Sequence, residues 1–256
     1  MDISKDGWKS LIYEWTPEGS FHSGPPTSVR NFGDALIDVL YEDFFLETLY
    51  KNPKIVYFLL GSVICNEVIE QTLRLDCEPV FSECGARGEK LDPDLLKVSK
   101  ILKVRGPLTK NILETSGVEV EASVDPGYRV RDKVFPGKPH GASILIPHML
   151  DPDKYEYVAS KFEVNWIRQT DVYIKQQTVG LIKDITGARF VLAGSLHAAI
   201  IAHAYGIPFA PFATNYVDSS FKWSDWALSV GINYIQFFDN VNDGREWWRN
   251  NVPKYL

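Results

Sequence analysis

Apolar and polar positions along the 256-residue chain switch repeatedly between a strand-like and a helix-like period. Lys9 to Trp15 is a short apolar run that predicts a first strand. Thr16 to Arg30 is rich in Pro, Gly and Ser and reads as a loop. Ala35 to Leu49 places Leu36, Val39, Leu40 and Phe44 at helical spacing, with Asp34 as the expected N-cap. Lys54 to Leu60 is a continuous β-branched and aromatic run, the pattern of a buried parallel strand, and Pro79 to Cys84 and Ile101 to Val104 read as further strands. Leu108 to Thr115 predicts a helix closed by Gly117, and Val118 to Val124 leads into Asp125-Pro126-Gly127. Arg131 to Ala142 carries charges, prolines and glycines but no period, and is expected to be a linker.

The second half repeats the alternation. Strands are predicted over Ser143 to Pro147, Phe162 to Trp166 and Arg189 to Ala193, and helices over Val172 to Thr186 and Leu196 to Tyr205. The Gly206-Ile207-Pro208 turn leads into another strand. Tyr216 to Val230 reads as a loop and helix, Asn233 to Phe238 as a short strand, and Val241 to Arg249 as the last helix. Such alternation predicts two α/β domains with parallel sheets, residues 1–135 and 136–256, the last helix packing back on the first domain.

Composition narrows the function class. A net charge of -6 argues against sequence-independent nucleic-acid binding. Cys65, Cys77 and Cys84 are few and unevenly spaced, which fits free thiols in a reducing cytoplasm. The polar start MDISKDGWKS lacks a signal-peptide core, and no apolar run reaches the ~18 residues of a membrane span. The expected location is cytoplasmic.

Candidate chemistry gathers at the predicted strand ends, where parallel sheets bind ligands. Gly194, Ser195 and His197 open a helix of small residues, and helix N-termini suit anions. Arg105 ends a strand before Gly106-Pro107, and His148 follows Ile146-Pro147. His148 reads either as a substrate contact or as a buried loop histidine. Asp34 can cap its helix, face the cleft, or do both, with Asn31 and Gly33 shaping the same turn. Asp125 reads as a ligand contact or a turn former. His197 and His203 are six residues apart, on different helix faces, so no metal site is expected.

Several of these pieces occur together in one known family. They are Asn31-Phe32-Gly33-Asp34-Ala35-Leu36, Gly61-Ser62, Val104-Arg105-Gly106-Pro107-Leu108-Thr109, Asp125-Pro126, Ile146-Pro147-His148, Ser195-Leu196-His197-Ala198 and Ala204-Tyr205-Gly206-Ile207-Pro208. In this order, and over about residues 10 to 210, the chain resembles the polysaccharide pyruvyltransferase family. The resemblance implies two Rossmann-like domains facing a cleft, as in GT-B glycosyltransferases. It implies transfer of the enolpyruvyl group of phosphoenolpyruvate to two hydroxyls of a sugar, forming a pyruvate ketal, with no separate cofactor. The implied acceptor is a cell-surface polysaccharide precursor, often lipid-linked, which allows peripheral membrane association.

On that reading His197 serves as general acid or phosphate contact, and Asp34 orients or deprotonates a sugar hydroxyl. Arg105 supplies the main cationic charge, and the remaining strand-end residues contact substrate. Many members carry Arg before the Leu-His pair, where this chain has Ser195. A nucleotide-sugar glycosyltransferase of the same architecture and a degenerate saccharide-binding member are the alternatives.

Overall fold

The computed structural model describes residues 30–44, 55–172 and 174–253. The strand expected over Lys9 to Trp15 lies outside them. Two parallel four-stranded sheets form the frame. The first has the order β2 (Ile55–Phe58), β3 (Glu78–Cys84), β4 (Lys100–Val104), β5 (Glu121–Ala122). Helices α3 (Asn66–Arg74), α4 (Pro93–Lys97) and α5 (Pro107–Thr115) connect these strands. Sequence reading had left α3 and α4 unassigned.

The second sheet runs β10 (Phe209–Pro211), β9 (Phe190–Ala193), β6 (Ser143–Ile146), β7 (Trp166–Ile167). Its helices are α6 (Lys175–Gly187), α7 (Leu196–Ala204), α8 (Ser220–Ser229) and α9 (Val241–Asn251). All four residues of β6 and of β9 are buried, which explains their unbroken apolar runs. All nine residues of α7 are buried, and its alanines allow close packing on β9 and α6.

The N-terminal helical pair, α1 (Phe32–Ala35) and α2 (Ile37–Phe44), does not stay with the first sheet. Phe32, Leu36 and Leu40 share one core with Ile182, Val191 and Ile200 of the second half. The preceding β1 (Arg30–Asn31) pairs antiparallel with β8 (Asp171–Val172). A boundary at residue 135 therefore does not separate the packing of the two halves.

Other expectations are corrected by where backbone groups find partners. Asn31, not Asp34, is the N-cap of α1: its Oδ1 accepts the Gly33 N–H at 2.8 Å, and Asp34 sits in the first turn. The expected linker is a docked segment. Gly137 N–H donates to Thr186 Oγ1 at 2.7 Å, and His140 N–H donates to Gly187 O at 2.9 Å. Of the strand expected over Phe162 to Trp166, Ala159–Phe162 is a 3₁₀ turn ended by left-handed Glu163, and only Trp166 joins the sheet. In Asn233 to Phe238 only Phe238 makes a bridge, to Phe212; the Tyr234 carbonyl instead accepts the Trp247 indole N–H. The last helix, α9, packs on β9 and β10 of its own sheet, and it is α8 that meets α5 across the molecule.

That α8–α5 contact centres on Asp225. Gly106, the N-cap of α5, has no side chain to cap with. Asp225 Oδ1 accepts the Leu108 and Thr109 N–H groups at 2.9 Å each, and Oδ2 accepts Thr109 Oγ1–H at 2.7 Å. A Cβ at Gly106 would overlap this carboxylate. Asp225→Ala removes a buried acceptor of three hydrogen bonds and leaves those donors unpaired. It is expected to cost ~3–5 kcal/mol, read as a fall in the urea midpoint. An unchanged midpoint would show that the contact holds nothing together.

Candidate functional site

In the second sheet the chain leaves β6 toward β7 on one side and returns through β9 on the other. The crevice between the β6 and β9 ends is a topological switch point, where open α/β sheets bind ligands. Two histidines stand on the loops leaving those strands. His148 follows β6, and His197 lies in the first turn of α7 after β9. Gly194 N–H donates to Ile146 O at 2.7 Å, and a Cβ at Gly194 would press on His148 N. Glycine there lets the two loops close together.

His197 is buried and faces Asp125, with Nε2 3.8 Å from Asp125 Oδ2. Asp125 Oδ1 accepts the Gly127 N–H at 2.8 Å, so the turn-forming role holds while Oδ2 points at the histidine. Arg105 Nη1 lies 3.8 Å from the same Oδ2, and Nη2 lies 3.8 Å from Asp225 Oδ2. Arg105 is fully buried, yet its three guanidinium nitrogens, Asp125 Oδ2 and His197 Nε2 have no hydrogen-bond partner among the described residues. Gly85 makes room for the guanidinium and Gly33 for the imidazole, since a Cβ at either would overlap them.

A second cluster lies at the β6 side. Asp218 takes Arg87 Nη2 at 2.7 Å on one oxygen and Lys222 Nζ on the other, with His148 Nε2 at 3.8 Å. The Leu150 N–H donates to His148 Nδ1 at 3.2 Å, so neutral His148 carries its proton on Nε2, toward Asp218. Burial opposes the charge on Asp218, but Lys222, Arg87 and His148 overcome this and hold the carboxyl at about 2. Burial pushes the Lys222 ammonium below its ordinary value. Burial, with Lys222 second, holds His148 at about 4. Burial also holds His197 at about 4, against the opposing pull of Asp125.

These groups border one pocket of about 350 Å³. Asn31, Asp34, Arg105, His148, Ser195 and His197 line it, as do Gly61 and Ser62. Gly33, Gly194 and Asp125 stand behind that lining, against His197 and His148. Ser195 caps α7 through backbone only, which leaves the first-turn N–H groups of α7 without a side-chain cap at the pocket wall. Sequence reading missed Arg87, Asp218 and Lys222, and also Glu67 and Gln71 on α3. Arg87 follows a strand end in Gly85-Ala86-Arg87-Gly88, a signal that was available. Lys222 lies in an aromatic helix, where only the tertiary fold reveals its direction. His203 is not part of the pocket; it pairs with Tyr128 Oη at 2.6 Å and packs on Phe209 and Trp226. Among the described residues no group of three His, Cys, Asp or Glu side chains is placed to share a metal ion. Nor is any described helix long and apolar enough to cross a membrane.

Residues 94–216 match the family model described as polysaccharide pyruvyl transferase. The chain is 28% identical to the succinoglycan biosynthesis protein ExoV of Rhizobium meliloti, over 80% of this chain. It spans 63% of that relative's length. A solved structure of an uncharacterized protein from Klebsiella pneumoniae has a similar fold, with a TM-score of 0.50 and 14% identity over 87% of this chain and 91% of that one.

The buried histidines set a pH dependence. Folded His148, His197 and His203 each titrate at about 4, while an unfolded chain protonates histidine near ~6.5. Between these values the unfolded state binds more protons, so stability falls as pH drops from about 6.5 toward 4. Urea midpoints at about pH 7.5 and about pH 5 will differ in that direction. His203→Gln, which leaves the pocket untouched, is expected to shrink the difference. An equal difference in that variant would remove His203 from the account.

Proposed function

We propose that this chain, whose residues 94–216 match the polysaccharide pyruvyl transferase family model, moves an enolpyruvyl group from phosphoenolpyruvate onto two hydroxyls of a saccharide. The product is a pyruvate ketal in an exopolysaccharide precursor. The observation that carries this reading is the buried Arg105–Asp125–His197 constellation, in which Arg105 and His197 line a pocket with further cations at Arg87 and Lys222 and Asp125 stands behind them. Phosphoenolpyruvate carries a carboxylate and a phosphate, and charge-assisted hydrogen bonds are the strong means of holding both. Arg105 is assigned to the donor's charge, helped by Lys222, Arg87 and the start of α7. This distribution supplies the positive charge that Ser195 does not.

The proposed reaction balances with donor and acceptor alone. A proton is added to the donor's methylene carbon, which leaves an oxocarbenium-like centre on the adjacent carbon. An acceptor hydroxyl attacks that centre and loses its proton. The carbon–oxygen bond to phosphate breaks and inorganic phosphate leaves. A second hydroxyl of the same sugar then closes the ring and loses its own proton. His197 is assigned the first proton transfer. It is neutral in the free protein, held at about 4. An anionic donor beside it raises its proton affinity, so donor binding brings the proton that the step consumes. Asp34 is assigned to the acceptor hydroxyls, and Gly33 is the position that lets α1 approach His197.

The test is phosphate release that depends on both phosphoenolpyruvate and a saccharide. His197→Asn is expected to lower kcat by about 10²–10⁴-fold, the range of one positioned acid–base group, while the donor still raises the unfolding midpoint. If nucleotide sugars raise that midpoint and phosphoenolpyruvate does not, the donor assignment is wrong. Gly33→Ala is expected to reduce turnover through the same histidine, because the added methyl overlaps its ring. Full activity in Gly33→Ala would show that this ring position is not needed.

A further inference from the structure

The pocket is divided by charge. Its cations, Arg87, Arg105 and Lys222, all come from the β3 and β4 ends and from α8. The part of the lining that comes from β1, α1, the β2 end and α3 holds no cation among the described residues. There the polar groups are Asn31, Asp34, Ser62, Glu67 and Gln71, with Val63 and Val68 as apolar wall. Burial raises the Cys65 thiol, which stays neutral. A multiply anionic donor is repelled from this end, whereas a neutral polyhydroxyl ring is not. Carboxylate and amide groups at one end of an apolar patch can hold sugar hydroxyls by charge-assisted hydrogen bonds.

Glu67 and Gln71 are placed for that task. They are one helical turn apart on α3, and Gln71 Nε2–H donates to Glu67 Oε1 at 3.1 Å. The start of α3 is pinned by Asn66: its Nδ2–H donates to Lys90 O at 3.0 Å, its N–H donates to Glu89 Oε1 at 3.1 Å, and its Oδ1 accepts the Asp92 N–H at 2.8 Å. The helix face that meets the pocket is therefore set by contacts outside the pocket. The Glu67–Gln71 pair is solvent-facing and contributes little to the fold, so its place at the rim is not explained by stability.

We propose that Glu67 and Gln71 form an acceptor subsite that reads the hydroxyls of one sugar ring and so determines acceptor specificity. The ring lies against Val63 and Val68, with its far hydroxyls on Glu67 and Gln71 and its reacting pair turned to Asp34 and His197. This rests on the pyruvyl-transfer reading for the direction of the ring but not for the existence of the subsite.

The experiment uses the full chain with phosphoenolpyruvate and the phenyl glycosides of glucose, galactose and mannose as acceptor probes. It reads phosphate release and, separately, sugar binding by saturation-transfer NMR. Glu67→Ala and Gln71→Ala are expected to raise the KM of the accepted glycoside by about ten-fold or more for the glutamate and several-fold for the glutamine. The donor KM and the unfolding midpoint are expected to stay unchanged. An unchanged glycoside KM in both variants, with wild-type turnover intact, overturns the subsite and leaves pyruvyl transfer standing. A fall in kcat alone also overturns it, because the residues would then act on the chemistry. No turnover from phosphoenolpyruvate, together with glycoside binding that weakens in Glu67→Ala, supports the subsite and sinks the pyruvyl-transfer reading. Failure of every glycoside to bind the wild-type chain overturns the subsite.

Discussion

The arrangement depends on one fully buried cation. Arg105 is buried in the pocket wall, and taking such a charge out of water costs several kcal/mol. Two carboxylates offset that cost from opposite sides, Asp125 at 3.8 Å from Nη1 and Asp225 at 3.8 Å from Nη2. Neither makes a hydrogen bond to it, so its donors remain uncommitted. A purely structural arginine would spend its donors on a carboxylate, as Arg129 does on Glu83, where Nη2 donates to both oxygens at 2.6 Å each. Arg105 is neutralised in the field but not satisfied in its geometry, which is the state expected of a group held ready for an anion.

Much of the remaining structure positions the parts around that cation. Asp225 arrives on α8 and also caps α5, so the carboxylate beside Arg105 and the helix that follows Arg105 are fixed by the same oxygens. Asp125 arrives on the turn after β5, tied by its side-chain Oδ1, which accepts the Gly127 N–H. Glycines at 85 and 106 leave space where any side chain would collide with the guanidinium or the capping carboxylate. Close by, β3 bulges at Ser82–Cys84 and Glu83 adopts φ 61. A left-handed non-glycine residue costs ~1–3 kcal/mol, and the Arg129 pair is placed to offset it. The bulge re-aims the strand end that carries Gly85 and Arg87 into the pocket.

The strand-end residues were legible because parallel sheets concentrate function there. Arg105, His148 and Ser195 with His197 could be picked out by position alone, and all line the pocket. The two parallel sheets followed from unbroken apolar runs such as Phe190–Ala193. What could not be read was anything decided between distant segments. Asn31 takes the cap expected of Asp34 because β1 ends there by pairing with β8, well over a hundred residues later. The supposed linker is docked because Thr186 and Gly187 offer it partners that local composition does not reveal. Lys222 occupies an aromatic helix whose face is chosen by Asp218 and by packing.

Neutral histidines tie these features to function. Burial alone keeps a proton off His197 in the empty pocket, and Arg105 adds to that effect while Asp125 opposes it. The balance is therefore sensitive to one more charge. An anion that engages Arg105 weakens its repulsion of an imidazolium and so adds to the pull of Asp125 Oδ2 against burial. On the proposed reading, donor binding and protonation of His197 are coupled. His148 stands differently, since its Nδ1 already accepts the Leu150 N–H and its Nε2 faces an Asp218 shared with Lys222 and Arg87. Two histidines at the same switch point are thus separated by their partners: His148 is committed through Nδ1 to holding its loop, and His197 has an Nε2 that makes no hydrogen bond among the described residues.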